Sequence, residues 1–405
     1  MSFFLFFLFW FGLLALAYFY AGRRMITHSN LSRRGRITAW VTVWVLFTLP
    51  QIPFLSFAGK SESSAVDFVA WVGYTSLGLF SFVLIGLFAR DIILLIRRLA
   101  RMSRTIARRI AGKTTEATPV RTDRRRFLIH ASNSGIMGLA ALTTGYGVYE
   151  ARRKADIVRL SVSLPNLPVG FEGFRIAQIT DIHAGLTIKR GFVERIAEQV
   201  SALNSDLIAF TGDLVDGSVP WLRNDVAPLT ELTAPAGKFF ITGNHEYYSG
   251  AQPWIEEADR MGFTVLLNEH RIIEKNGEKL VIGGVTDYGA GQFIPHQASD
   301  PFKAFSGAPE GSVRILLAHQ PKSIFAAAQA GCDLQLSGHT HGGQFFPWNY
   351  LATIDQPFIK GLHRLGGVQI YVSRGTGYWG PPVRTNNPPE ITLITLTRKG
   401  ATPVM

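Results

Sequence analysis

The first 90 residues contain three apolar segments of bilayer-spanning length, which takes roughly 20 residues. They run from Phe3 to about Tyr20, from Ile37 to about Phe57 and from Val66 to about Ala89. None alternates polar and apolar faces, so the reading as a buried core helix is weak. Trp10, Trp40, Trp44 and Trp71 suit interfacial or lipid-facing positions. Pro50 and Pro53 predict that the second segment kinks or ends early. A fourth stretch, Phe127 to about Tyr149, is a weaker candidate, rich in Gly and Ala and carrying His130 and Asn133. Ahead of it stands Asp123-Arg124-Arg125-Arg126-Phe127-Leu128. This run fits either a twin-arginine export signal or a basic flank that keeps its side cytoplasmic.

The charge distribution bears on the same question. The formal net charge is +12, yet residues 1–154 hold 21 Lys and Arg against 6 Asp and Glu, while residues 155–405 hold 20 against 23. The excess therefore flanks apolar segments instead of striping a folded domain, so no nucleic-acid partner is expected. Arginines crowd residues 21–36 and 97–126, whereas the Ala58–Ala65 loop carries only Lys60 and Glu62. The positive-inside rule puts the two basic loops in the cytoplasm, and the fourth stretch then leads outward. The expected arrangement is a cell-membrane protein with three to four transmembrane helices in residues 1–154 and an extracytoplasmic domain in residues 155–405. Arg152, Arg153 and Lys154 argue mildly against it, and a fourth stretch that does not span would leave the domain cytoplasmic. Thr114–Pro119 reads as a flexible part of the basic loop. The single cysteine, Cys332, excludes an intrachain disulfide and a thiolate cluster, and reads as a small buried hydrophobe.

From residue 157 short β-branched runs alternate with helical ones. Strands are predicted at 157–164, 174–180, 207–211, 238–242, 280–283, 314–318, 334–337, 368–373 and 391–397, and helices at 190–203, 253–261 and 322–330. The closing strands have little helix between them, which disfavours a single parallel sheet and favours an α/β sandwich of two sheets flanked by helices.

Five of these strands end in polar clusters: Asp181-Ile182-His183, Gly212-Asp213, Gly243-Asn244-His245-Glu246, His319-Gln320, and Gly338-His339-Thr340-His341. Loops at the carboxyl ends of strands converge on ligand sites in α/β sheets. Carboxylate, imidazole and amide oxygen together suit Mn, Zn, Fe or Co. The Asp-x-His and His-x-His spacings place alternate side chains on one side of an extended segment. Each cluster alone is an ordinary turn; five in succession, each after a strand, are not.

These clusters resemble the signature of the calcineurin-like metallophosphoesterases, over residues 174 to 397, and most closely the membrane-associated bacterial branch with Gly-His-Thr-His-Gly-Gly-Gln. The resemblance implies a four-layer α/β/β/α sandwich and a two-metal phosphoesterase acting on phosphomono- or diesters. It implies Asp181, His183 and His341 on one metal, Asn244, His319 and His339 on the other, and Asp213 bridging. His245 would stand beside the scissile phosphate as the catalytic acid or charge stabiliser, outside the coordination shell.

Membrane tethering makes lipid or envelope-precursor headgroups candidate substrates. Glu246 reads as orienting a histidine or as a surface carboxylate. His270, His296 and His363 read as loop residues, Arg384 as a structural ion pair, and Tyr378-Trp379 as ordinary packing or an apolar wall. The competing reading is a non-enzymatic membrane scaffold that keeps the fold without metals, which the full ligand set argues against. A channel with an accessory domain is disfavoured because Asp67 and Asp91 are expected near helix ends, not within the membrane.

Overall fold

The computed structural model describes residues 3–27, 29, 31–53, 63–112 and 122–398. Thr114–Pro119, most of the Ala58–Ala65 loop and the tail of the second apolar segment lie outside the described residues. The chain divides into two compact units, the described residues of 1–55 with 68–146, and those of 56–67 with 147–405.

All four apolar stretches fall on helices: α1 Phe3–Ile26, α2 Arg33–Thr48, α3 Ser64–Ile110 and α4 Thr122–Arg152. Among the described residues, only α3 is long and apolar enough to cross a membrane. Helix α2 stops at Thr48, ahead of Pro50, as a ring without an N–H requires. Helix α3 continues as a basic helix well past its apolar part, which corrects the placing of Asp91 near a helix end. Asp91 lies mid-helix, where it accepts the Tyr20 hydroxyl (2.7 Å) and pairs with Arg24 (2.6 Å). Burying a carboxylate costs least when a cation and a donor meet it.

The second unit is a mixed α/β domain with two six-stranded sheets among its described residues. Its strands are β1 Asp156–Ser163, β2 Arg175–Ile179, β3 Leu207–Phe210, β4 Lys238–Phe240, β5 Thr264–Val265, β6 Glu269–Lys275, β7 Glu278–Gly284, β8 Val313–Leu317, β9 Leu334–Ser337, β10 Gly361–Leu365, β11 Val368–Val372 and β12 Glu390–Thr397. The first sheet is ordered β1-β12-β2-β3-β4-β5, the second β10-β11-β9-β8-β7-β6. β2, β3, β4 and β5 are parallel, as are β7, β8, β9 and β11. The expected strands are present, and β5, β6 and β10 are additional.

Alternation along each strand sets the packing. In β3, Leu207 and Ala209 join a cluster shared with Leu280, Ile315 and Leu336 of the second sheet. Ile208 and Phe210 instead face Val193, Leu222 and Trp254. Those residues come from helices α5 Arg190–Ser201, α6 Val219–Val226 and α8 Ala251–Arg260. In the same way Leu280 and Ile282 of β7 face the first sheet, while Val281 packs with Ile324 and Ala327 of α10 Ile324–Gln329. Parallel strands are covered on both faces, which is why β3 reads as an unbroken apolar run and β8 as one interrupted only at Arg314. Cys332 is buried and unpaired, as expected.

Candidate active site

The parallel strands β2, β3 and β4 of the first sheet and β8 and β9 of the second each break into a polar loop at their carboxyl ends. These loops carry the seven candidate metal ligands and His245. Asp181 and His183 follow β2, Asp213 follows β3, and Asn244 and His245 open the short helix α7 Asn244–Ser249 after β4. His319 follows β8, and His339 and His341 follow β9.

Two groupings have a cation's reach. The ligand atoms of Asp181, His183 and His341 lie within 4.8 Å of one another, and so do those of Asp213, His319 and His339. Nε2 of His183 and Nε2 of His341 are 3.0 Å apart, and Nε2 of His341 is 3.6 Å from Asp181 Oδ1. Asp213 Oδ2 lies between the groupings, 3.8 Å from His183 Nε2 and 3.0 Å from His319 Nε2. His183, Asp213 and His245 make a third grouping within the same limit.

The backbone is bent to achieve this. Asp181 (φ 54°), His183 (54°), Asp213 (56°), His339 (72°) and His341 (50°) all adopt the left-handed conformation. For residues with a Cβ this costs on the order of 1 kcal/mol or more each and collects at functional sites. Gly243 and Gly338 leave room for the carboxylates: a Cβ on Gly243 would strike Asp213 Oδ1, and one on Gly338 would strike Asp181 Oδ2.

Two buried polar atoms at the site, His319 Nε2 and Asn244 Oδ1, make no hydrogen bond. His319 donates from Nδ1 to Thr211 O (2.7 Å), which leaves Nε2 directed at a carboxylate; Nε2 itself makes no hydrogen bond of acceptable geometry. Asn244 Oδ1 is also buried without a hydrogen bond, whereas His183 Nδ1 faces Asp216 Oδ2 at 3.3 Å. His319 Nε2 and the Asp213 carboxylate at 3.0 Å need a positive charge between them, either a proton on Nε2 or a bound cation. Divalent cations can meet that need with this donor set of carboxylate, imidazole and amide oxygen, so the residues present fit such ions.

Protonation tendencies divide the imidazoles. Burial, reinforced by His319, pushes His339 down to about 3, and burial with His183 holds His341 well below the usual range, leaving both neutral. Burial would lower His319 too, but Asp213 outweighs it and raises this imidazole. Burial opposes ionisation of Asp213, yet His319 and His245 hold it well below the usual carboxylate range.

His245 is set apart by its partner. Its Nδ1 hydrogen bonds to Asp216, a residue the sequence reading missed. Burial would depress His245, but Asp216 and Asp213 raise it to about 9. A signal existed: Asp216 follows Asp213 by three residues in the same loop. His245 N–H also donates to Asp213 Oδ1 (2.9 Å).

Three expectations need correction. Glu246 neither orients a histidine nor lies on the surface. It is buried and accepts the backbone N–H groups of Asp213 (3.0 Å), Leu214 (2.8 Å) and Gly243 (2.6 Å), fastening the β3 loop to α7. Arg384 has no hydrogen-bonded carboxylate partner among the described residues. Its guanidinium donates to the carbonyls of Gly377, Arg374, Asn387 and His341, and lies 3.0 Å from His341 Nδ1. His270 and His363 lie on strands β6 and β10, away from the ligand groupings, each bonded to a backbone carbonyl. The Tyr378-Trp379 pair divides: Tyr378 is buried and donates to Thr187 O, while Trp379 stands exposed with its ring 5.5 Å from that of His245.

Comparison with known proteins agrees with this architecture. The family model for calcineurin-like phosphoesterases matches residues 174–343. A transmembrane protein with a metallophosphoesterase domain from Danio rerio is 36% identical over 266 residues, 64% of this chain and 61% of that protein. The chain therefore spans less than two thirds of that relative. An uncharacterized metallophosphoesterase of Helicobacter pylori is 37% identical over 268 residues, 65% of this chain and 70% of that protein. Another from Bacillus subtilis is 32% identical over 285 residues, 67% of this chain and 97% of that protein. With its signature clusters gathered at one end of two sheets, and with relatives matched across most of their length, this chain belongs to the calcineurin-like metallophosphoesterase family.

Proposed function

We propose that the protein is a membrane-anchored phosphoesterase that hydrolyses phosphomono- or diesters with two divalent metal ions. Asp181, His183 and His341 would hold one ion, Asn244, His319 and His339 the other, with Asp213 shared. The observation that carries this reading is Asp213 Oδ2 standing between the two ligand groupings, 3.8 Å from His183 Nε2 and 3.0 Å from His319 Nε2. Two cations bound there would supply Lewis-acid polarisation of phosphate oxygens and a hydroxide nucleophile near neutral pH. The chain's own residues do the rest. Neutral imidazoles at His339 and His341 offer lone pairs. Glu246 fixes the loop that carries Asp213. His245, kept protonated by Asp216, gives a proton to the leaving oxygen. Apolar clusters on both faces of each sheet support a four-layer α/β/β/α arrangement.

The domain is proposed to span residues 155–405 and the membrane region residues 1–154. The apolar helix α3 and the Danio rerio relative support membrane association. The arginine distribution supports several spans with the site outside the cytoplasm, where lipid or envelope-precursor phosphoesters are candidate substrates. Hydrolysis of bis-p-nitrophenyl phosphate by the full chain in detergent with added Mn tests the reading. Asp213→Asn should lower it by a factor of at least ~10², while His245→Ala, which removes the leaving-group acid, should lower it much less with this good leaving group. Absence of activity with any divalent metal would overturn it in favour of the scaffold reading, and full activity in Asp213→Asn would overturn the site assignment.

A further inference from the structure

His245 is flanked by aromatic rings on two sides. Tyr248, one turn along α7, has its ring 5.1 Å from His245 at 65°, and Trp379 has its ring 5.5 Å away at 71°. Phe293 extends the Tyr248 side at 5.6 Å. All three are about half exposed, Tyr248 at 50%, Phe293 at 51% and Trp379 at 54%. Single exposed aromatics need no explanation, but a run of three, two of them with rings against one buried imidazole, does. The Trp379 backbone is also pinned: its main-chain N–H donates to Gln344 Oε1 and its main-chain carbonyl accepts from Gln344 Nε2, both at 3.0 Å. Gln344 directly follows the His341-Gly342-Gly343 turn, so the backbone that carries the indole is tied to the loop of a proposed ligand.

We propose that Tyr248, Phe293 and Trp379 form a leaving-group subsite for an apolar alcohol, so that the substrate's departing portion is a hydrocarbon chain or ring and not a polyol. This rests on the reading of His245 as the acid. In hydrolysis, a water oxygen forms the new bond to phosphorus while the bond to the leaving oxygen breaks. That bond's electron pair stays on the leaving oxygen, which takes the His245 proton; water's proton restores the acid. The carbon skeleton attached to that oxygen must then lie beside His245, where the two rings stand. Held rings gain more from an apolar group than mobile ones, because their ordering cost is already met.

The test uses the full chain in detergent with Mn and compares mono- and methyl diesters of butanol, benzyl alcohol and glycerol, whose chains are too short to form micelles. The alkyl and benzyl esters should exceed the glycerol ester in kcat/KM by about tenfold or more. Trp379→Ala and Tyr248→Ala should collapse that ratio, Trp379→Phe should keep part of it, and Phe302→Ala, an exposed aromatic elsewhere, should leave it intact. A benzyl preference identifies a ring as the occupant and a butyl preference a lipid-like chain. A flat ratio in an active protein overturns the subsite while sparing the phosphoesterase reading. If none of the esters is cleaved, calorimetric titration with butylphosphonate and methylphosphonate decides: equal affinities overturn the subsite, and a butyl preference lost in Trp379→Ala supports it.

Discussion

Arg384 offers the sharpest test of how the site is held. It is fully buried, and its nitrogens serve four backbone carbonyls, at 2.6 Å (Gly377), 2.8 Å (Arg374), 2.9 Å (Asn387) and 3.3 Å (His341). Burial pulls its pKa down to about 9, a shift that Asp181 and Glu390 only partly offset. Arg384→Met fills much the same volume and removes every donor. Each buried acceptor left unmade costs about 1–3 kcal/mol, and carbonyls with a second lone pair fall at the low end, so the gross loss is about 4 kcal/mol. Relief from burying a charge without a hydrogen-bonded carboxylate returns part of it. The net expectation is a loss of about 2–4 kcal/mol, equivalent to a drop in Tm of roughly 5–15 °C for a domain of this size.

Thermal unfolding of the detergent-solubilised chain measures the stability, and metal content after gel filtration measures the site. The carbonyls lie in the 374–390 segment and at His341, so metal content should fall together with Tm. Arg384→Lys should behave nearly as badly, since a single ammonium cannot reach four carbonyls at once. A Tm within about 3 °C of the parent, with metal content unchanged, would refute this account of Arg384.

Glu246→Gln sets an amide against backbone N–H groups that now meet a carboxylate; about 2–3 kcal/mol of stability should be lost, read by the same melting curve. Asp216→Asn should slow cleavage of alkyl esters by roughly 10–10²-fold and of nitrophenyl esters much less, since a good leaving group needs no acid. Equal slowing of both would remove His245 from that role. Chelation should lower Tm, and readdition of Mn at about 100 times its Kd should restore about 2.7 kcal/mol; a melting curve indifferent to chelator would count against bound metal.

Much of the site was legible because local chemistry announces it. An apolar strand that stops abruptly at Asp, His or Gly marks a loop at a sheet's end, and five did so in order. What escaped notice depends on contacts the local pattern cannot carry. The Glu269–Lys275 and Gly361–Leu365 strands form the outer edges of the second sheet, and edge strands carry charges that disguise them as loops. Asn244–Ser249 is a helix of 6 residues whose polar opening resembles a turn. Arg384 and His341 are far apart in sequence, and an arginine serving carbonyls leaves no complementary acid to search for. Glu246 was visible as an acid near the ligands, but its partners are backbone N–H groups, which every sequence contains.

The left-handed backbone at five of the proposed ligand positions connects fold to chemistry. Such residues persist only where their surroundings over-determine them, and here the surroundings are extensions of the strand ladders. Asp181 N–H bonds to Gly212 O (2.9 Å), His183 N–H to Asp213 O (3.2 Å) and Ala184 N–H to Leu214 O (2.8 Å), carrying the β2–β3 pairing past the sheet and through the ligands. Gly338 N–H to His319 O (3.0 Å) does the same between β8 and β9, and Gly377 N–H to Asp181 O (2.9 Å) ties in the segment that carries Trp379. A side chain on such a loop inherits the rigidity of the sheet, so little ordering remains to be done when a cation or a phosphate arrives. The backbone strain and the inward-facing unpaired atoms thus belong to one arrangement, in which the folded sheets hold the ligand atoms close together before anything is bound.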